Sequence, residues 1–391
     1  MHMPAEKRHK AYPLLPFSQL VFNMTRWMPW VYMFTFKWCW PGKKNELKHL
    51  VDVITKVLNH HTVFKMQVDM HGLQTYNPAP IGLKGRYYKV ELLIKGEDIY
   101  GSFRWSRILG DYKSVYTILF ENFIRAYKGE ILPEDKYLSY IEKVSLIQKS
   151  SSYAESKKWL ESMFADTTIP VRPSIDRKKV QTILPWRVGI QKEDYTALAA
   201  EINQFLHDKM LNLDGFFSLC VTLAISEYCG TDSAALTWAY EGRETPMEQH
   251  IFGSLHRDIP FQISRVNPAN GQSYTRDELV RQARQQIRLG IAHSDYPYTL
   301  TSPHTDRWNY AVNVIRNMNP DEFLSAAVLP TTLLPMPKQR IAYAMLDIEI
   351  IEMQGRIEEL LFRYSATHYK QESMQRFAAM VKQYALWLLS K

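Results

Sequence analysis

Apolar positions recur at i, i+3 and i+4 in several stretches, as in Leu47, Leu50, Val51, Ile54 and Leu58, or Val115, Ile118, Leu119, Phe123 and Ala126. That period lays one apolar stripe along a helix. Helices are expected over 45–59, from Asp111 to about 128, and over 153–164, 192–210, 215–228, 277–293 and 371–389. Short runs rich in aromatic and β-branched residues lie between them and suit a pleated, half-buried surface. Strands are therefore expected at 30–40, 62–68, 85–94, 100–109, 234–240, 256–265, 308–315, 342–352 and 357–362, with Gly96-Glu97-Asp98 as a hairpin turn. Residues 12–19 read as a proline-punctuated lead-in, and the polar section 132–177 as a connection holding one helix. Sheet and helix mix in both halves, which gives an α/β (α+β) pair of sandwich lobes.

One corner organises this pattern. The extended run 100–109 meets Gly110-Asp111 and turns at once into a helix. Asp111 stands where a carboxylate can accept the free N–H groups of a first turn, and Gly129 stands where a helix C-terminus is closed. The corner itself contains no histidine.

At 391 residues the chain has room for two domains of ordinary size. Its 46% hydrophobic and 13% aromatic content argues for a folded chain. No apolar run reaches the ~18 residues of a membrane span, since the 20–40 stretch is broken by Asn23, Thr25, Arg26 and Lys37. No apolar core follows the opening MHMPAEKRHK, so no secretory signal is expected. Cys39, Cys220 and Cys229 are too few and scattered for a disulfide framework, and free thiols fit a cytoplasmic setting. The net charge of +8 and pI near 9.1 suit an acidic partner or simply a solvated basic surface. With no Lys/Arg block or nucleic-acid motif, a nucleic-acid partner is not expected.

His60-His61 is the one adjacent histidine pair. It ends a helix, where a histidine can answer the negative end of the dipole, and no Cys or carboxylate cluster at ligand spacing supports a metal. No G-x-x-x-x-G-K-[ST], G-x-G-x-x-G or G-x-S-x-G pattern occurs, so no nucleotide cofactor or serine-hydrolase chemistry is expected. His293, closing a long helix, reads as structural. Glu241-Gly242-Arg243, after a strand, is either a turn with a solvated Arg or an Arg turned into a cleft.

Five pieces in order resemble the condensation domain of nonribosomal peptide synthetases over almost the whole chain. They are YPLLPFSQ with Gln19, LKHLVDVITKVLNHHTVFK with His61 and Lys65, and SSSYAESKKWLESMF with Trp159. YEGRETPMEQHIFGSLHRDIPFQISR follows, with Gly242, Arg243, Gly253 and Pro260, and then AHSDYPY with His293, Asp295 and Pro297. The resemblance implies two chloramphenicol acetyltransferase-like lobes, 12–165 and 166–391, forming a V around a central tunnel. It implies carrier-protein partners whose phosphopantetheine arms bring the substrates, with no other cofactor. The 304–340 stretch is shorter than the latch or floor insertion of that family.

The family's His-His-x-x-x-Asp-Gly motif falls on SRILGDY. Ser106 and Arg107 replace the histidines, Asp111 is kept, Tyr112 replaces the glycine, and Ser114 matches a serine often found two positions later. Asp111 is then expected to be structural, capping the helix or pairing with a buried Arg. Arginine cannot act as a general base near neutral pH, though it can still donate to a carbonyl or an oxyanion. The altered corner admits three readings. The favoured one is a non-catalytic module that docks carrier proteins or a tailoring enzyme, similar to X-type domains. The second is an active condensation enzyme relying on Arg107 and substrate positioning. The third uses Ser106, Asp111 and Ser114 as heterocyclisation domains do, and ranks last because the first Asp of Asp-x-x-x-x-Asp-x-x-Ser is missing.

Overall fold

The computed structural model describes residues 10–25, 33–176, 186–296, 312–318, 332–333, 341–342, 346–353 and 355–390. It divides into two units. One gathers Met1–Ser150, Glu241–Arg257 and Pro320–Pro337; the other gathers Ser151–Tyr240, Asp258–Asn319 and Lys338–Lys391. These are not the contiguous lobes 12–165 and 166–391 that the sequence suggested. Ile251, Phe252 and Leu255 are wholly buried in the core of the first unit, so the 241–257 segment belongs there.

In the first unit, β1 (Ala11–Pro13) leads to α1 (Pro16–Thr25), then β2 (Met33–Trp40) and α2 (Leu47–His60). A 3-10 turn, Thr62–Lys65, precedes β3 (Met66–Val68) and β4 (Leu73–Tyr76). The hairpin β5 (Tyr88–Lys95) and β6 (Asp98–Ser106) turns at Gly96-Glu97. A π-helical turn, Ser114–Leu119, runs into α3 (Phe120–Tyr127), and α4 (Tyr137–Ile147) closes the order. Strands β1, β4 and β3 form a small sheet. A four-stranded sheet follows the order β11-β2-β6-β5, where β11 is Thr332–Leu333.

Alternation along β2 and β6 sends Phe36, Trp38, Trp40, Phe103 and Trp105 into the core, where α2 and α3 cover them. Trp40 stacks on Phe123 at 5.2 Å and Phe103 on Trp105 at 5.5 Å. Offset ring pairs of this kind add to simple area burial.

The second unit opens with α5 (Ser151–Phe164), followed by β7 (Trp186–Asp194), α6 (Ala199–Lys209), α7 (Leu213–Cys229), β8 (Ser233–Tyr240) and β9 (Arg257–Ser264). Then come α8 (Arg276–Ala292), β10 (Val312–Met318), β12 (Ile341–Ala342), β13 (Leu346–Met353), β14 (Arg356–Ser365) and α9 (Gln371–Leu389). Its seven-stranded mixed sheet has the order β12-β7-β14-β13-β10-β8-β9, parallel across β8-β10-β13 and antiparallel from β13 to β12. Helix α7 is buried continuously from Leu213 to Ser226, including a polar stripe of Asp214, Ser218, Thr222 and Ser226 at four-residue spacing. Asn212 caps it and Gly230, at φ +65°, stops it.

Several expectations need correcting. The lead-in 12–19 contains the start of α1. Proline suits a first helical position, where its missing N–H has no partner to lose, and α1 begins at Pro16. The connection holds two helices, α4 and α5, rather than one. The 192–210 helix is a strand as far as Asp194 before α6 starts at Ala199. The 62–68 strand is a 3-10 turn for its first half.

Candidate functional site

Strand β6 ends at Ser106, and the next three residues turn tightly. Ser106 O accepts from Leu109 N (3.0 Å) and Ser106 Oγ accepts from Ile108 N (3.3 Å), so the side chain is buried in its own turn. Ser18 of α1 donates to Ile108 O (2.8 Å), and Trp105 Nε1 to Gly110 O (3.2 Å), pinning the corner from both sides. Asp111 then caps the helix: its Oδ1 accepts from Ser114 N at 2.9 Å.

The 241–257 segment lays Arg243 across this cap. Asp111 Oδ1 also accepts from Ser114 Oγ (2.8 Å) and Arg243 Nη2 (3.0 Å). Oδ2 accepts from Arg243 Nη1 (2.9 Å), Leu255 N (3.0 Å) and His256 N (3.2 Å). Ser114 Oγ accepts from Arg243 Nη2 and Gly253 N, both at 3.0 Å, and its one proton goes to Gly253 O (2.7 Å) or to Asp111. Arg243 has no exposed side-chain surface and Asp111 has 4%. Burial alone would push the Asp111 carboxyl up, but the charge and hydrogen bonds of Arg243 outweigh it and hold the pKa at about 2. Its lone-pair directions are filled, so Asp111 is an architectural anion with no capacity left to accept a substrate proton. The two sequence-level alternatives for Asp111, helix cap and partner of a buried Arg, are both realised. Arg243 is the Arg turned inward.

Arg107 is half-buried one residue beyond the strand. Its guanidinium lies over the rings of Phe17 (4.5 Å), Tyr112 (5.5 Å) and Phe34 (5.7 Å), a cation held among aromatic faces. Arg107 Nη2 is 3.3 Å from His256 Nδ1. A guanidinium only donates, so Nδ1 accepts and a neutral His256 ring carries its proton on Nε2. The His256 ring also meets Phe17 edge-on at 3.9 Å. Sequence reading placed no histidine at this corner. The fold brings one there from 149 residues away, and nothing in its strand-like surroundings announces it. Arg107 Nε is buried without a hydrogen-bond partner.

The structure thus gathers Ser106, Arg107, Asp111 and Ser114 in one corner with Arg243 and His256, and keeps His60, His61 and His293 elsewhere. His60 Nε2 meets Pro133 O at 2.7 Å. His61 is buried, and its Nε2 accepts from Asn122 Nδ2 at 3.1 Å. Burial pushes the His61 pKa down to about 4 despite the nearby Asp135. Because the unfolded chain binds this proton near 6.5 and the folded chain near 4, stability is full above 6.5 and falls as the pH drops through that window. The loss is expected to reach about 3 kcal/mol. Urea melts at pH 7 and pH 4.5 should show it, and His61→Gln should flatten the dependence. In the second unit, His293 stacks on Trp159 at 4.7 Å and meets Ser156 Oγ at 3.1 Å, a packing role as expected. Pro297 of the AHSDYPY segment lies outside the described residues, as does 304–340 apart from 312–318 and 332–333.

The family model of the condensation domain matches residues 113–390. The chain belongs to the condensation domain family. No curated protein matches it. Solved structures share its fold at low identity. The X-domain from teicoplanin biosynthesis, in a complex with OxyB, aligns with a TM-score of 0.77 at 13% identity, covering 99% of this chain and 96% of that one. The EpoB cyclization-docking bidomain of Sorangium cellulosum aligns at 0.75 and 13%, covering 99% and 86%. SgcC5 of Streptomyces globisporus aligns at 0.72 and 12%, covering 96% and 98%. The fold is the chloramphenicol acetyltransferase-like one expected from the sequence.

Proposed function

We propose that this condensation-family domain works in nonribosomal peptide biosynthesis as a docking module for carrier proteins or a tailoring enzyme, without histidine-dependent condensation. One observation carries the reading: both motif positions that would hold histidine are committed to structure. Ser106 Oγ is buried in its own turn, and Arg107 is packed against Phe17, Phe34 and Tyr112 and bonded to His256. Thioester aminolysis needs the amine to lose a proton and the tetrahedral oxyanion to be stabilised. A guanidinium is already protonated and only donates, so it takes no proton from the amine. The similarity in fold to an X-domain solved in a complex with OxyB agrees with this reading. Substrates or tethered peptides would arrive on phosphopantetheine arms, in the cytoplasm, with no cofactor held by this chain.

A second reading has one observation in its favour. The buried Nε of Arg107 has a proton and no acceptor among the described residues, and such a donor could bind a thioester carbonyl in an active condensation enzyme. Mass spectrometry of reactions with carrier-bound donor and acceptor separates the two. The docking reading expects no amide above the uncatalysed level, and carrier or tailoring-enzyme affinity within about threefold of wild type, under ~1 kcal/mol, in Arg107→Ala. Amide formed by the wild type and lost in Arg107→Ala would establish the second reading instead.

A further inference from the structure

Helix α8 carries Arg281, Arg284 and Arg288 on its solvent face, all exposed. Steps of three and four residues keep them within one narrow stripe, ~10 Å long at 1.5 Å per residue. The opposite face is fixed: Leu279, Val280 and Ala283 are buried in the core, and Gly290 lies so close to Ile259 that a Cβ there would come within 2.3 Å of it. The stripe is therefore presented on a rigid support.

Its charges are scarcely answered within the chain. Among the described residues, Arg284 and Arg288 have no ion pair, and Arg281 reaches only Glu278, at 3.8 Å. Some exposed cations elsewhere lie beside acids, as in Lys44–Glu97, Lys192–Glu359 and Lys209–Asp277, while Lys56, Arg104 and Lys158 stand singly, without the stripe's i, i+3, i+7 clustering. Like charges at this spacing cost a helix ~0.2–0.5 kcal/mol per pair, so the stripe is mildly unfavourable in the isolated protein. Arginine rather than lysine suits bidentate recognition of planar carboxylates. One turn before the stripe come Asp277, paired with Lys209 at 2.8 Å, and Glu278, 3.8 Å from Arg281. The basic stripe ends there, and a short helix with carboxylates at i, i+3 and i+7 matches both its spacing and its ~10 Å length.

We infer that the Arg281–Arg284–Arg288 stripe of α8 is a docking surface for an acidic helix of a partner protein. The inference rests on the docking reading for its biological setting, while the charge pattern stands by itself. The probe is a labelled 20-residue alanine-rich helical peptide with glutamates at i, i+3 and i+7, tested by fluorescence anisotropy at 50 and 200 mM salt. A peptide of the same composition in scrambled order and a 20-base-pair DNA duplex serve as comparisons. The ordered peptide should bind about fivefold or more tighter than the scrambled one and weaken with salt. R281E/R284E/R288E should lose about tenfold or more, and R281Q/R284Q/R288Q an intermediate amount, with unchanged circular dichroism. Equal binding of the two peptides, or unchanged affinity in both variants, overturns the inference. So does duplex DNA bound more tightly than the peptide and lost in the same variants. Amide product in the carrier assay would end the docking reading and leave this result standing.

Discussion

Asp111→Ala is expected to lower the unfolding free energy by about 3–5 kcal/mol, the cost of leaving a buried charge without its partner. Among the described residues the mutation removes the only anion bonded to Arg243, whose side chain has no exposed surface. It also leaves Leu255 N and His256 N without their acceptor. Arg243→Ala should cost a similar amount, because the carboxylate then stays buried with only neutral donors. Replacing both residues together by apolar ones, as in Asp111→Leu/Arg243→Met, should recover a large part of the loss, since a removed pair needs no desolvation. Urea denaturation followed by tryptophan fluorescence reads this well, because Trp38, Trp40 and Trp105 all sit in the core of the same unit. A loss below about 1 kcal/mol in both single variants would be the size of an exposed pair and would refute the architectural role.

The pair also sets an acid limit. The Asp111 pKa lies at about 2 in the fold against 3.8 ordinarily. A carboxylate with a depressed folded pKa gives its full stabilisation above the unfolded value and loses it as the pH falls toward the folded one. About 2 kcal/mol should disappear between roughly pH 4 and pH 2, below the window in which His61 acts. Acid unfolding should therefore show two separable slopes, the upper removed by His61→Gln and the lower by the Asp111→Leu/Arg243→Met pair.

What could be read from the sequence was what is local. Asp111 as a cap depends on a residue three positions on, and Ser114 N is indeed its donor. Gly129 closes its helix at φ +78°, and α9 has the bounds its period gave. What escaped is long-range. The partner of Asp111 lies 132 residues away, so the same Arg243 read equally well as solvated or inward until the fold chose. His256 looked like the start of a strand, and its approach to Arg107 depends on the returning 241–257 segment. That segment also explains why contiguous lobes failed as a division: its apolar residues fill the core of a unit whose other residues lie far back in the chain. Helices α1 and α4 were missed because prolines and polar flanks masked short periodic stretches.

Gly242→Ala should be among the most damaging small changes in the protein, and it tests how rigidly Arg243 is delivered. Gly242 has φ +66°, where an L-residue costs ~1–2 kcal/mol. In addition, a Cβ there would come within 2.2 Å of Leu255 O, a backbone atom that cannot rotate away. The peptide that carries Leu255 O is already held by its own N–H, that of His256, to Asp111 Oδ2 at 3.2 Å, so relieving the clash pulls on the Arg243–Asp111 cradle itself. The expected loss is about 3 kcal/mol or more, strain and weakened ion pair together. Gly129→Ala is the control within the same unit, because it has φ +78° but nothing within 4 Å of the added methyl. It should cost only the backbone term of about 1–2 kcal/mol. If the two variants lose equal stability in urea titrations, the Leu255 carbonyl yields freely. The corner would then be soft, and the packing of Arg107 against His256 would no longer count as a fixed replacement for the missing histidines.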